Sequence, residues 1–287
     1  MCAHSGTRLP NGAPRIRKAR DNRSRTLPKK GVQSEILRNV EAWVWQVYKP
    51  YAEACRALTE AYGGAMASFL PCVHPEAPTL YIVLSSNRGL CGGYNSELFR
   101  YVDEVLSSAD KPYLLLACGK IAQGRYGDRA AETYTLPDVP NFADCLPLFD
   151  RIRALYTGGE VSAVTFLYEH FQNMLTQTPC ARTVLPFDAS SPTAESGGVG
   201  DTPSDMLFYP DRETVLSSAC LSLLHVSLYS VLLEAAAGAQ AATLIAMRSA
   251  NDNAAESIAR LEIDISRKRQ AEVTSSVIET ASGTHSE

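Results

Sequence analysis

The chain has no CxxC pair among its 8 cysteines, no metal-ligand spacing among its 5 histidines, and little net charge, −4 over 287 residues. The cysteines at 2, 55, 72, 91, 118, 145, 180 and 220 are scattered, several inside apolar runs such as Leu114–Cys118. They read as reduced core thiols of a cytosolic-type compartment, with neither zinc nor a disulfide framework indicated. The near-balanced charge gives no global attraction to nucleic acid. No run approaches the ~18 apolar residues of a membrane-spanning helix, and no apolar signal segment opens the chain, so membrane association is expected only through a partner. Proline is absent between Arg212 and Ser282, and Gly238 is the single glycine there. That absence excludes an ordinary succession of short elements in this part of the chain.

The composition that remains, 45% hydrophobic and 20% charged, is that of a globular protein with ample length for a buried core. Residues 1–31 stand apart. Arg8, Arg15, Arg17, Lys18, Arg20, Arg23, Arg25, Lys29 and Lys30 face one acid, Asp21, and the segment reads as a basic, solvated or degenerate tail. Over 32–70 a helical stripe follows, carried by Ile36, Val40, Trp43, Val47, Tyr51, Ala54, Leu58 and Ala61 and interrupted at Pro50.

The segment 79–188 alternates between two periodicities. Strands are expected at Leu80–Leu84, Tyr113–Ala117, Glu132–Leu136 and Ala163–Tyr168, the last running on through Glu169–Leu175. Helices are expected at Asn95–Ser107, Gly119–Tyr126 and Phe142–Tyr156. Such alternation, with nearly continuous apolar strands, predicts an α/β domain on a mainly parallel sheet. Residues 189–211 are rich in Ser, Pro, Gly and Thr and read as a linker. From 212 to 283 the apolar positions Leu221, Leu224, Leu228, Val231, Ala235, Ala242, Ile245, Ile258, Leu261 and Ile265 recur close to every 3.5 residues, which predicts one long helix of coiled-coil type. Its seam requires a partner, and the only other long stripe is the N-terminal one. The predicted fold is therefore α/β, an antiparallel coiled coil of N- and C-terminal helices with an inserted Rossmann-like α/β domain.

The turn Arg88-Gly89-Leu90-Cys91-Gly92-Gly93-Tyr94-Asn95 sits between the first apolar strand and a helix, where a nucleotide-binding loop would lie. The residues do not support that chemistry. A phosphate loop opens its helix with Gly-Lys-Ser/Thr, and here Gly93-Tyr94-Asn95 occupy those places. Glycines at 89, 92 and 93 do not fit the dinucleotide spacing. A helix N-terminus remains as a weak anion site, and Cys91 beside Arg88 has no histidine near it in sequence. Close packing at the strand–helix turn is the stronger reading. In the long helix, Asn251, Asp252 and Asn253 interrupt the apolar pattern, and Asp252 and Asn253 are candidates for setting coiled-coil register. Further on, Arg267, Lys268 and Arg269 form a cationic cluster with Gln270 and Thr274 beside it, either a solvated face or a contact surface.

Taken together these residues resemble the γ subunit family of F-type ATP synthases. The run at 88–95 is similar to that family's signature after its first central strand. Ser227-Leu-Tyr229, Leu232-Leu-Glu234, Ala246-Met247, Asp252-Asn-Ala254, Arg269-Gln-Ala271, Thr274 and Ser282-Gly283 follow in the family's order. Gly158-Gly-Glu160, Phe166-Leu-Tyr168, Phe171 and Leu185-Pro186 agree in the middle. The resemblance implies a non-catalytic rotor of the central stalk, coupling proton flow through the membrane ring to ATP synthesis or hydrolysis on the α/β hexamer. It implies α, β and ε subunits and the c-ring as partners, with no cofactor, no metal, no nucleic acid and no small-molecule substrate of its own. It places Arg269 and Gln270 against a β-subunit loop, with Arg267 and Thr274 beside them. It also implies a peripheral place on the cytoplasmic side of a bacterial cell membrane, or alternatively on an organelle inner membrane. The chain departs from the family pattern at Pro28 and Gly31, which would break its first helix, and at Ala239, Thr243 and Ser276. The competing expectation is a stand-alone α/β nucleotide-binding protein or enzyme that uses the turn at 88–95.

Overall fold

The structure, a computed structural model, describes residues 17–18, 20–21, 70, 74–187 and 211–283. The helix expected over 32–70 and nearly all of the linker at 189–211 lie outside the described residues. The chain divides into two compact units, Ile36–Ile245 and a second made of Met1–Glu35 with Ala246–Glu287.

The first unit is built on a five-stranded sheet. In chain order its elements are β1 (Thr79–Leu84), α1 (Tyr94–Ser107), β2 (Tyr113–Cys118), α2 (Lys120–Tyr126), β3 (Glu132–Tyr134), α3 (Phe142–Thr157), β4 (Ala163–Phe171) and β5 (Gln177–Leu185), followed by α4 (Arg212–Gly283). The strand order is β3-β2-β1-β4-β5, parallel throughout except for the β4–β5 hairpin. The order 3-2-1-4 is that of the first four strands of a doubly wound nucleotide-binding sheet. The chain therefore reverses its direction across the sheet between β1 and β4.

Alternation along the strands feeds two cores. Leu80, Ile82 and Leu84 of β1 point to the face covered by Cys145, Leu148, Phe149 and Ile152 of α3 and by Leu224, Leu228 and Val231 of α4. Val83, with Leu115, Ala117 and Leu167, points to the face covered by α1 and α2 through Leu98, Phe99, Val102, Ala122 and Tyr126. Both faces are covered, which is why β1, β2 and the first part of β4 are largely apolar.

Two differences from the sequence expectation concern β4 and β5. The strand expected to run on through Leu175 ends earlier, because the chain turns after Phe171. Asn173 Oδ1 accepts from the backbone N–H groups of Leu175 and Thr176, each at 2.9 Å, and this side-chain turn leaves Leu175 81% exposed. The chain then returns as β5, which the sequence reading does not anticipate. Pro179 and the polar residues Gln177, Thr178, Arg182 and Thr183 disguise this strand, and its place at the sheet edge is what tolerates them.

α4 runs unbroken for 72 residues, about 110 Å at 1.5 Å per residue. Within Cys220–Ile278 it holds a stretch long and apolar enough to cross a membrane by length and composition, contrary to the sequence expectation. That stretch is 61% buried, as befits a helix packed on a core. In the second unit Arg17, Lys18, Arg20 and Asp21 are helical, where a solvated tail is expected, and Arg20 Nη2 lies 2.6 Å from Glu262 Oε1. Both side chains of that ion pair are about half exposed, so it contributes little stability.

Gly238 gives a direct test of α4 packing. A Cβ there would sit 3.5 Å from Glu169 O and from Tyr94 Cε2, an ordinary contact distance. Gly238→Ala is therefore expected to stabilise the protein by about 0.5–1 kcal/mol through the backbone entropy of a helix interior. Denaturant unfolding checks this. A loss of stability would mean that α4 sits closer to β4 than these distances allow.

Candidate functional site

The reversal between β1 and β4 creates a crevice above the C-terminal ends of these strands, the position where doubly wound folds take a nucleotide. The Gly-rich turn lies there, and its polar groups are engaged with one another. Asn95 Oδ1 accepts from the Ser86 N–H at 3.2 Å, and Asn95 Nδ2 donates to Ser86 Oγ at 2.8 Å and contacts Cys91 Sγ at 3.1 Å. Ser86 Oγ donates onward to Arg88 O at 2.7 Å. Asn87 Nδ2 donates to Leu136 O at 2.6 Å, which ties the turn to the segment after β3.

Two residues of the turn take left-handed backbone, Leu90 (φ 67°) and Gly92 (φ 62°). Glycine adopts that region freely. A leucine does not, and Leu90 is also 67% exposed, so the turn holds an apolar side chain out into solvent in a strained conformation.

The crevice itself is filled by α4. Cys91 and Tyr94 are buried against Ala239 and Ala242, and Tyr94 Oη donates to Ala235 O at 3.1 Å. Burial, followed by the nearby acid Glu169, pushes the Tyr94 phenol far above its ordinary value and keeps it a neutral donor. The small Ala and Gly side chains of α4 are what let the helix come this close. The positive end of α1 is also taken, because Glu97 stands in its first turn with its carboxylate folded back over Gly93. Arg88, the cation a phosphate would need, pairs with Asp138 at 3.0 Å. Among the described residues, the arrangement holds a helix with the turn's cation and helix N-terminus both engaged.

On the opposite face of β4 a second group of polar residues fixes the same helix. Glu234 of α4 is 2% exposed. Its carboxylate accepts from Tyr168 Oη at 3.0 Å and from the Phe171 N–H at 3.2 Å, meets His170 Nδ1, and faces Arg182 Nη1 at 3.8 Å. A buried carboxylate is tolerated only when its lone pairs are occupied in this way. Neither Ser86 nor Glu234 is singled out for this role by sequence reasoning. An acid inside the apolar run Val231–Ala237 is the one signal that could have flagged the second.

The remaining residues of interest lie on the part of α4 belonging to the second unit. Arg267, Arg269, Gln270 and Thr274 are all exposed, and Thr274 Oγ1 donates to Gln270 O at 2.8 Å within the helix. Of the polar run, Asn251 is the buried member, while Asp252 and Asn253 are exposed. The structure thus brings the residues at 88–95 together with the first half of α4.

Comparison with known proteins agrees with this geometry. A family model described as ATP synthase matches residues 15–286. The ATP synthase gamma chain of Staphylococcus carnosus is 32% identical over 245 residues, covering 82% of this chain and 84% of that one. The gamma chain of Granulibacter bethesdensis is 30% identical over 292 residues, covering 94% and 96%. Among solved structures, a chain from the rotor of the Euglena gracilis mitochondrial ATP synthase aligns with a TM-score of 0.55 at 15% identity, covering 91% of this chain and 99% of that one, a likeness of fold. A chain from the central stalk and c-ring of the Tetrahymena thermophila mitochondrial enzyme gives 0.52 at 18% identity, covering 81% and 98%. With its nucleotide crevice filled by its own helix, and with relatives of one name along most of its length, the chain belongs to the ATP synthase gamma chain family.

Proposed function

We propose that this chain is the central-stalk rotor subunit of an F-type ATP synthase, working with α, β and ε subunits and the c-ring. It couples proton flow through the membrane ring to ATP synthesis or hydrolysis on sites that belong to the α/β hexamer. Family membership over residues 15–286 carries the reading. A filled crevice supports it from the side of chemistry, since a gamma chain is a subunit of the complex and makes no bonds itself. The complex is membrane-bound with this portion peripheral, and the bacterial relatives support a place on the cytoplasmic side of a bacterial cell membrane. The segments 1–31, 32–70, 79–188, 189–211 and 212–283 serve as basic N-terminal segment, N-terminal coiled-coil helix, α/β domain, linker and C-terminal coiled-coil helix.

Arg269 and Gln270 carry the mid-shaft contact to a β-subunit loop in this reading, with Arg267 and Thr274 beside them. Their exposure on α4 makes them available for charge-assisted hydrogen bonds. Asp252 and Asn253 act in register, and the turn at 88–95 presents Leu90 for a subunit contact. The test is reconstitution. The chain is expected to co-purify with α and β subunits and to raise their ATPase activity, and Arg269→Ala with Gln270→Ala is expected to lower that activity about tenfold or more. Each lost charge-assisted bond corresponds to ~1.5–3 kcal/mol. Full, regulated ATP hydrolysis by α and β alone would overturn the reading. Saturable micromolar binding of ATP or NAD to the isolated chain would favour the alternative at 88–95.

A further inference from the structure

One buried carboxyl among the described residues has no part in the contacts above. Glu169 lies in β4, 1% exposed, and neither Oε1 nor Oε2 has a hydrogen-bond partner. Its neighbours on the strand, Tyr168 and His170, point to the other face of the sheet and serve Glu234. The titratable groups around this strand end are Glu97 and Tyr94 from α1, Cys91 from the turn, Cys180 from β5 and Glu234 from α4. All are acids or weak acids. The two basic groups close by, His170 and Arg182, are turned to Glu234. Beneath the carboxyl the Glu169 backbone supports α4, its carbonyl lying 3.5 Å from where a Cβ of Gly238 would be.

A carboxylate anion is strongly disfavoured in such a place. It has neither a donor nor a cation, and its charged neighbour Glu97 repels it. We propose that Glu169 is a buried proton-binding site, holding a proton below neutral pH while β4, α1 and α4 are packed together and releasing it when that packing opens or the pH rises above neutrality. Closing the unit around α4 then takes up one proton from solution. Burial first, and the Glu97 charge second, raise the Glu169 carboxyl from its ordinary 4.5 to about 7, in keeping with the geometry.

The folded chain binds one more proton than the unfolded chain between the two values, so stability is fully present below the unfolded value and is lost as pH rises towards 7. The full chain and its Glu169→Gln variant are compared by denaturant unfolding from pH 4.5 to 8.5. Relative to the variant, the wild-type folding constant is expected to fall up to about tenfold per pH unit through this window, and about two orders of magnitude in all. Infrared difference spectra of the wild-type chain are expected to show a protonated carboxyl at pH 5.5 that vanishes above pH 8, and the variant is expected to lack it. The infrared titration of the wild type stands alone if the variant fails to fold. Equal pH slopes in the two proteins, or no protonated carboxyl titrating near neutrality, would overturn the proposal. So would wild-type stability at pH 8 that rises with added sodium or magnesium while the variant's does not, because the carboxylate would then hold a metal cation in place of a proton.

Discussion

Glu234→Ala is expected to cost about 3–5 kcal/mol of folding stability, the scale for removing one partner from a buried charge cluster. The substitution strips the acceptor from Tyr168 Oη, itself 2% exposed, and from the Phe171 N–H, and leaves Arg182 and His170 facing a void. It also opens a cavity between α4 and the sheet. Tyr168 shows how strongly the cluster is coupled, since burial, followed by the Glu234 charge, drives its phenol far above the ordinary range. Glu234→Gln keeps the shape and one acceptor oxygen and is expected to cost about 1–3 kcal/mol. His170→Ala removes a half-exposed partner and is expected to cost less than either. Equilibrium unfolding of the full chain ranks the three. An alanine cost within 1 kcal/mol of wild type would mean that apolar contacts alone hold α4. The functional consequence follows if α4 is the shaft. On the proposed rotor reading, a loosened Glu234 should lower coupled ATP synthesis more than uncoupled hydrolysis.

Elements with a strong period were legible in the sequence. β1, β2 and β4 are apolar runs because both faces of the sheet are covered, and α4 is a long stripe without a breaker. β5 escaped because an edge strand needs only one neighbour, and Pro179, Arg182 and Thr183 are tolerated where no second strand requires their backbone groups. The turn after β4 escaped for the opposite reason. Phe171, Met174 and Leu175 look like a continuing core strand, although Leu175 stands in solvent. For the candidate site, the missing lysine and hydroxyl were enough to reject phosphate chemistry. What replaced it could not be read from the chain, because the contacts of Tyr94 with Ala235 and Ala242 and of Glu234 with Tyr168 join residues 66 to 148 positions apart. A single acid in an apolar strand, Glu169, and another in an apolar helix, Glu234, look alike in sequence. In the structure Glu234 is fully partnered, and the Glu169 carboxyl has no hydrogen-bond partner among the described residues.

The largest backbone effect is expected at Gly119, where Gly119→Ala should cost about 3 kcal/mol or more. Gly119 caps α2 at φ 98°, ψ 145°, a conformation that a side chain adopts only at a cost of ~1–3 kcal/mol. A Cβ there would also lie 2.3 Å from Ser85 O and 2.9 Å from Ser85 C, and these are backbone atoms that cannot rotate aside. Overpacking of this kind adds ~1–3 kcal/mol. Relief would have to move the end of β1 away from the end of β2. Ser85 N–H donates to Cys118 O at 2.9 Å, and Ser85 Oγ accepts from the Ala122 N–H at 2.8 Å, so both bonds would stretch. The next residue is Ser86, whose bonds to Asn95 and Arg88 hold the Gly-rich turn beneath α4. The substitution should therefore disturb the α4 contact as well as the sheet. Gly124→Ala is the control, because it lies in the same helix and a Cβ added there would meet nothing within 4 Å, so it should be neutral or mildly stabilising. Thermal or denaturant unfolding separates them. Equal stability of the two variants would show that the ends of β1 and β2 can part freely, and the turn at 88–95 would then not be anchored through Ser85 and Ser86.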